Sequence, residues 1–118
     1  MKNEDEIIPI LKKNGFTIVD FDILSFEEQL NYILDCEILV GVHGSALSHM
    51  LWLKQKCKVL EIRTKNNFND NCFFTLASDL GHDYFYVTAD KIDVSKSNHL
   101  SDLKIDPDNF SSQLIKML

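Results

Sequence analysis

The sequence is poor in features that mark several large classes of protein. Lysine and arginine total 12 against 18 aspartate and glutamate residues, and the net charge is -6. Nucleic acids and anionic membranes bind clustered cations, so neither is expected as the main partner. No apolar run approaches the length of a membrane span, and the acidic start of the chain is unlike a secretion signal. We therefore predict a soluble, cytoplasmic protein with no membrane contact from this chain.

Several chemical motifs are also absent. The three cysteines, Cys36, Cys57 and Cys72, lack CxxC spacing and are odd in number, which predicts reduced thiols rather than a zinc site or a disulfide framework. Neither Gly-x-Gly-x-x-Gly nor a phosphate loop ending in Gly-Lys-Ser or Gly-Lys-Thr occurs, which argues against common dehydrogenases and NTPases. Ser45 does not lie in a GxSxG nucleophile elbow, because Leu47 stands where the second glycine would be.

The composition fits one globular domain. The chain has 118 residues, of which 45% are hydrophobic, enough for a core but not for two domains. The apolar run at residues 38–42 predicts a strand buried on both faces of a parallel sheet. A turn at Gly44 and a helix over residues 46–53, capped by Ser45, would follow. A helix start of this kind directs free backbone N–H groups outward, which predicts an anion site.

A second buried strand is predicted after this helix, at residues 59–62. Glu61 lies near the carboxyl end of that strand. Ligands of open α/β sheets bind beyond the carboxyl ends of the strands, so His43, the turn and Glu61 should converge there. His43 would contact a phosphate, with a structural tie between the turn and a neighbouring carbonyl as the alternative. Glu61 would accept hydrogen bonds from ribose hydroxyls, and no metal site is expected.

Further elements are predicted on both sides of this stretch. Before it, the sequence predicts a helix over residues 3–13 with an Asn3/Glu6 capping box, a strand over residues 16–21, and a helix from residue 26 with a Ser25/Glu28 capping box. After it come a helix over residues 73–80, a strand over residues 84–87, a polar loop over residues 88–102, an edge strand over residues 103–105 and a helix capped by Asp106. This alternation predicts a three-layer, Rossmann-like α/β/α sandwich with a mainly parallel sheet of about four or five strands.

The order and spacing of several motifs resemble the glycosyltransferase family 61-like group of plant xylosyltransferases, O-GlcNAc transferases and bacterial capsular-polysaccharide enzymes. The motifs are NEDEI at residues 3–7, a GF-type segment at residues 15–19, SFEEQ at residues 25–29, ILVGVHGSALSHMLWL at residues 38–53 and VLEI at residues 59–62. Two departures stand out. The usual HGAGL is HGSAL here, and the family's arginine-containing strand before the NE helix is not in this sequence.

The resemblance implies a nucleotide-sugar-dependent glycosyltransferase of GT-B-like architecture, with this chain in the donor-binding half. The donor would be a UDP-sugar and the acceptor a glycan or glycoprotein, with no cofactor and no metal. The implied site consists of His43 as the catalytic residue and of donor-binding residues Gly41, Gly44, Ser45, Ala46, Leu47 and Glu61.

The resemblance also bears on organisation and location. Residues 1–118 would form a single nucleotide-sugar-binding domain, truncated at its N-terminal side relative to the family. An unpaired strand would then allow a homo-oligomer. In a longer, anchored eukaryotic protein the location would be the lumen of the ER or Golgi rather than the cytoplasm.

Two other classes of function stay open. A non-catalytic domain could keep the fold and bind a protein or a glycan with its surface. A hydrolase that uses Ser45 and a histidine ranks below both, because the nucleophile elbow is absent.

Overall fold

The computed structural model describes residues 3–53, 56–64, 71–91 and 103–118, except for the side chains of residues 45, 46 and 91. In chain order the elements are α1 (Glu4–Lys13), a 3-10 helix (Phe21–Ile23), α2 (Phe26–Leu34), β1 (Ile38–Val42), a second 3-10 helix (Ser45–Trp52), β2 (Lys58–Thr64), α3 (Cys72–Leu80), β3 (Asp83–Lys91), β4 (Leu103–Lys104) and α4 (Pro107–Met117).

The strands form one four-stranded sheet in the order β1-β2-β3-β4. β1, β2 and β3 are parallel, whereas β4 pairs with β3 in the antiparallel direction. The sheet is therefore mixed rather than parallel, and the predicted three-layer, Rossmann-like sandwich is not confirmed. The reason lies in the sequence between β3 and β4. It is polar and has no helical period, so it lacks the pattern of the crossover helix that usually joins parallel strands.

β2 carries hydrophobic side chains toward both faces of the sheet. Successive side chains of a strand point to opposite faces, and Leu60 and Ile62 join one core cluster while Val59 joins another. The first cluster includes Ile7 of α1 and Phe110, Leu114 and Met117 of α4, and the second includes Leu47, Met50, Phe73 and Ala77. Because both faces are covered, the position of every side chain on this strand, Glu61 included, is fixed by packing.

The two predicted capping boxes differ in outcome. At α2 the prediction is confirmed: Glu28 N–H donates to Ser25 Oγ, and Ser25 N–H donates to Glu28 Oε1, both at 3.2 Å. At α1 the Asn3 side chain makes no cap hydrogen bond. Its Nδ2 donates instead to the Ile105 carbonyl at 2.6 Å, and its Oδ1 accepts from the Ile105 N–H at 3.1 Å. Asn3 therefore joins the two ends of the chain, a role that local spacing cannot reveal.

Residues 16–20 form no strand, so the prediction of a strand over residues 16–21 is wrong. A strand needs a neighbour to pair its backbone groups, and none of the described strands pairs with this segment. The chain continues instead into the 3-10 helix Phe21–Ile23. Its N-cap residue Asp20 accepts a hydrogen bond from the N–H of Asp22 at 3.0 Å.

The helix after β1 is a 3-10 helix rather than the predicted α-helix. Leu47 and Met50 are fully buried and Leu53 is half-buried, at a spacing of three residues. A 3-10 helix has three residues per turn, so it places all of these side chains on one face. The helix begins one residue earlier than predicted, and its N-cap residue is Gly44 rather than Ser45.

The C-terminal part follows the predictions closely. α3 ends at Gly81, whose φ of 80° is the left-handed conformation expected of a terminating glycine. β3 is longer than predicted and includes residues 88–91, which were assigned to a loop; the rest of that loop, residues 92–102, lies outside the described residues. α4 is capped by Asp106 as predicted.

Candidate functional site

The parallel order of β1, β2 and β3 brings their carboxyl ends to one edge of the sheet. Gly41 lies beside Glu61, and Glu61 lies beside Tyr86. His43 directly follows β1 and remains tied to β2, because its N–H donates to the Ile62 carbonyl at 2.8 Å. The predicted convergence of His43 and Glu61 at this edge is therefore present in the fold.

His43 and Glu61 are in direct contact. His43 Nδ1 forms a hydrogen bond with Glu61 Oε2, and the Tyr84 hydroxyl donates to the other carboxylate oxygen. Arg63 Nη1 lies 3.9 Å from Glu61 Oε1 and donates to Asn71 Oδ1 at 3.1 Å. We call His43, Glu61, Arg63 and Tyr84 the histidine–glutamate cluster. The cluster supplies partners for Glu61, because a carboxylate buried in an apolar strand is costly without one.

The cluster is shielded from water. The side chains of His43, Glu61 and Arg63 are 8%, 1% and 8% exposed. The Phe73 ring meets the imidazole edge-on, with the ring centroids 5.1 Å apart. In such surroundings a charge-assisted hydrogen bond is stronger than in water, and a buried charge without a partner is costly. The geometry holds the imidazole in one orientation, with Nδ1 toward Glu61 and the Nε2 side of the ring directed elsewhere.

Tyr84 is the second donor to Glu61. Burial, and then the hydrogen bond to the Glu61 carboxylate, raise the pKa of Tyr84 well above its usual value. The hydroxyl therefore stays protonated at neutral pH and keeps donating to Glu61. With both carboxylate oxygens engaged, Glu61 could reach ribose hydroxyls only if one of these partners moved. Its ribose contact stays a prediction.

The turn after His43 has the backbone geometry that the sequence predicts. Gly44 has φ 154°, a conformation that residues with a Cβ rarely adopt, which confirms the expected need for glycine here. Leu47 N–H donates to the Gly44 carbonyl at 3.1 Å and closes the first turn of the 3-10 helix. The backbone N–H groups of Ser45 and Ala46 come before that first bond, where a helix offers donors to a ligand. The Ser45 hydroxyl lies outside the described side chains.

Gly41 of β1 and Leu47 of the 3-10 helix lie close together on either side of the turn. A Cβ on Gly41 would approach Leu47 Cδ2 to 3.0 Å, so a larger residue here would require the Leu47 side chain to shift by a few tenths of an ångström. The Leu47 side chain is fully buried. The Leu47 side chain is therefore too buried to contact a nucleotide-sugar donor, and only the backbone of Gly41 and Leu47 could do so.

Two other side chains near the turn, His49 and Trp52, have structural contacts. His49 Nε2 forms a hydrogen bond with Gln29 Oε1 at 2.9 Å, and its ring lies 4.4 Å from the Phe21 ring. The Trp52 ring packs edge-on against Phe26 at 6.0 Å. The three cysteines are free thiols.

Two neighbours of the site, Tyr84 and Phe73, were not predicted, whereas Asn71 belongs to the polar stretch of residues 64–71 that the sequence places at the rim of the site. The sequence places Tyr84 on a strand but assigns its side chain no contact. In the parallel register Tyr86 lies beside Glu61, and Tyr84, two residues earlier, points to the same face of the sheet. That register was the signal that could have revealed it. Phe73 and Asn71 reach the cluster through tertiary packing of α3, which no local pattern encodes.

No group of three or more histidine, cysteine, aspartate or glutamate side chains in the described part of the chain is placed to hold a metal ion. In the same residues, no helix is long and apolar enough to cross a bilayer.

Comparison with known proteins gives a consistent result. The sequence model of the Glycosyltransferase 61 family matches residues 1–60. EGF domain-specific O-linked N-acetylglucosamine transferase of Drosophila melanogaster is 33% identical over 78 residues, covering 64% of this chain and 15% of the relative. The Mus musculus protein of the same name is 31% identical over 87 residues, covering 70% of this chain and 16% of the relative. The chain thus spans less than a fifth of the length of these relatives, and it belongs to the glycosyltransferase 61 family.

Proposed function

We propose that this chain binds the nucleotide-sugar donor of a glycosyltransferase, as part of a Rossmann-like domain in a GT-B-like enzyme. Family membership and similarity to transferases of N-acetylglucosamine support a sugar-transfer reaction. The structural observation that carries the proposal is the turn at the carboxyl end of β1, where His43 is held by Glu61 directly before a glycine turn and a helix start. Backbone N–H groups at a helix start bind phosphate.

The proposed mechanism assigns the diphosphate to this turn. During transfer the bond between the sugar and the diphosphate breaks, a new bond forms to an acceptor oxygen, and negative charge grows on the departing diphosphate. Fixed N–H groups of Ser45 and Ala46 would stabilise that charge without reorganising. His43 would add a hydrogen bond from the Nε2 side of its ring, since Nδ1 faces Glu61. We assign no general base to this chain.

Glu61 acts in this proposal as a positioning residue. By accepting from His43 Nδ1 it fixes the imidazole ring. The backbone of His43 is held separately, by the hydrogen bond from its N–H to the Ile62 carbonyl. A contact with the ribose stays possible for the same carboxylate if Tyr84 moves aside. The donor is proposed to be a UDP-sugar, the acceptor a glycan or glycoprotein, and the reaction independent of metal. The cytoplasmic location also stays a prediction.

The test is a heteronuclear NMR titration of the chain with UDP, GDP and CDP. We expect one nucleotide, UDP, to shift the amides of residues 43–47. His43→Ala should weaken that binding at least about tenfold, because a hydrogen bond to a charged group is lost. His49→Ala is the matched control, since His49 lies on the 3-10 helix that follows the turn and contacts Gln29 and Phe21, and it should leave the affinity unchanged.

Two results would count against the proposal. Shifts that survive His43→Ala unchanged would place the nucleotide elsewhere. A dispersed spectrum that no nucleotide alters would remove donor binding from this chain and favour the alternative, a non-catalytic domain that binds a protein or a glycan. Addition of EDTA tests the metal prediction, because a metal-dependent site would lose its UDP shifts.

A further inference from the structure

The hydrogen bonds around Glu61 decide which nitrogen of His43 carries its proton. Glu61 Oε1 accepts from the Tyr84 hydroxyl, and Glu61 Oε2 forms a hydrogen bond with His43 Nδ1. The hydroxyl donor and the Arg63 guanidinium, whose Nη1 lies 3.9 Å from Oε1, both favour the charged form of the carboxylate. A charged carboxylate can only accept hydrogen bonds, so Nδ1 is the donor. The Nδ1 proton of His43 is therefore engaged with Glu61.

The other ring nitrogen, Nε2, is an acceptor as long as the imidazole is neutral. A neutral imidazole has a single N–H, and in His43 that N–H lies at Nδ1. Phosphate oxygens are acceptors as well, so a neutral His43 would offer a diphosphate a lone pair and no hydrogen bond. A hydrogen bond from Nε2 to the diphosphate therefore requires a second proton on the ring.

The charges of the histidine–glutamate cluster lead to the same conclusion. With a neutral imidazole, the positive charge of Arg63 and the negative charge of Glu61 cancel. With an imidazolium the cluster has a net positive charge, and this charge is costly at a side chain as buried as that of His43 unless an anion faces it. A diphosphate is such an anion, and it needs a local cation because the chain as a whole has a net charge of -6.

The charged and titratable groups that the described residues place around the imidazole come from two strands. β2 contributes Glu61 and Arg63, and β3 contributes Tyr84, whose raised pKa keeps it neutral. α3 contributes an uncharged phenyl ring. The 3-10 helix carries one titratable side chain, His49, which bonds to a glutamine of α2. Of the side-chain types in the cluster, imidazole is the one that ordinarily titrates near neutral pH.

We propose that the turn after β1 binds a nucleotide diphosphate together with one proton taken from solvent. In the complex His43 is an imidazolium, whose Nδ1–H donates to Glu61 and whose Nε2–H donates to a diphosphate oxygen. Because such coupling is reciprocal, the diphosphate holds the second proton on the ring and the proton strengthens binding of the diphosphate. This proton uptake rests on the proposed function, since it concerns the same turn.

Isothermal titration calorimetry of the chain with UDP counts the proton. The titration is run at about pH 8, where an ordinary imidazole is neutral and the terminal phosphate of UDP is fully ionised. Two buffers with different enthalpies of ionisation are compared, because the dependence of the binding enthalpy on the buffer gives the number of protons taken up. We expect about one proton for each UDP bound, and an affinity that falls by up to about tenfold for each further unit of pH.

The ring nitrogens of His43 give a second readout, in the NMR spectrum of the isotope-labelled chain. Without UDP, at about pH 8, Nδ1 should be protonated and Nε2 should not. Saturation with UDP should protonate Nε2 and move both nitrogen shifts to those of an imidazolium. This measurement uses the unmodified chain, so it holds even if a variant fails to fold.

A matched pair of variants assigns the proton to one histidine. His43→Gln replaces the imidazole by an amide, whose N–H donates without an added proton, so it should bind UDP with no proton uptake and with little dependence on pH. His49→Gln removes the histidine that contacts Gln29 and Phe21, and it should leave the uptake at about one proton. The amide spectrum of each variant shows whether it is folded.

The contrary results separate proton uptake from donor binding. If UDP binds without taking up a proton, or if Nε2 of His43 is already protonated without UDP, the coupling is refuted and donor binding stands. If the uptake persists in His43→Gln, another group takes the proton and the assignment to His43 is refuted. If UDP does not bind at any pH, the proposed function fails and the proton uptake fails with it.

Discussion

The two sides of β1 contrast in how far their polar groups are satisfied. On the side of β2, His43 and Glu61 are bonded to each other, and Tyr84 and Arg63 complete the surroundings of the carboxylate. On the other side, no strand of the described chain pairs with β1, and the Ile38 carbonyl accepts a hydrogen bond from Cys36 Sγ at 3.0 Å. The first side is therefore held by a network of side chains, whereas the second lacks a sheet partner within the described residues.

The contrast shows that a strand is defined by its neighbours rather than by its own sequence. β2 and residues 16–20 are both rich in β-branched and apolar residues. β2 lies between two parallel strands and is buried along its length, whereas residues 16–20 have no paired neighbour in the described chain and stay outside the sheet. Strand propensity measures how a residue fits a sheet that already exists.

The largest effect is expected where the buried cluster loses its acceptor. Glu61→Ala removes the carboxylate from His43 and Tyr84 and leaves Arg63 buried without its anionic neighbour. We expect the free energy of unfolding to fall by about 3–5 kcal/mol, the range for breaking a buried ion pair from one side. Urea denaturation followed by circular dichroism measures this.

Two variants calibrate the result. Glu61→Gln keeps one acceptor oxygen and should cost less than Glu61→Ala. Glu37→Ala removes an exposed carboxylate and should change the free energy of unfolding by less than about 0.5 kcal/mol. If Glu61→Ala were no more destabilising than Glu37→Ala, the cluster would contribute nothing to the fold, and the contrast between the two sides of β1 would disappear.

Most of the fold could be predicted from the sequence because its signals are local. The capping box at Ser25, the glycine stop at Gly81 and the aspartate cap at Asp106 act within one helix turn, and all three are observed. The strand over residues 16–21, the α-helix after β1 and the cap at Asn3 were wrong. The strand over residues 16–21 and the cap at Asn3 depend on partners distant in the chain, such as the Ile105 backbone that binds Asn3. The 3-10 helix follows from burial at a spacing of three residues.

The sequence predicts where the site lies in the fold but not which hydrogen bonds form within it. The carboxyl ends of parallel strands converge by topology, so the meeting of His43 and Glu61 followed from the strand order. The sequence does not contain the distances that decide whether Glu61 bonds to His43 or is left to bind a ribose, and in the structure it bonds to His43. Whether either residue contacts a donor stays a prediction.

A smaller effect is expected from Tyr84→Phe, which removes one donor from Glu61 while His43 keeps its bond. The loss should be about 1.5–3 kcal/mol, the range for a hydrogen bond to a charged group. The expected pH dependence follows from the raised pKa of Tyr84. An unfolded tyrosine ionises near pH 10, whereas the folded one keeps its proton, so the contribution is complete below about pH 10 and is lost as pH rises toward the folded pKa.

Unfolding of wild type and Tyr84→Phe is compared from neutral to alkaline pH. The gap between the two free energies should be constant below about pH 10 and should narrow above it. Tyr86→Phe serves as the control, because the Tyr86 side chain is 55% exposed. A gap that widens with alkaline pH would mean that the Tyr84 hydroxyl is not held in its protonated form by the fold.

The smallest effect should come from residues 16–20, and it sharpens the comparison between the two strand-like sequences. Ile18→Lys should change the free energy of unfolding by less than about 0.5 kcal/mol, because Ile18 is 41% exposed and belongs to neither core cluster. Ile62→Ala in β2, where Ile62 is 3% exposed, should cost about 2–5 kcal/mol. If Ile18→Lys were as costly as Ile62→Ala, residues 16–20 would already be part of the core.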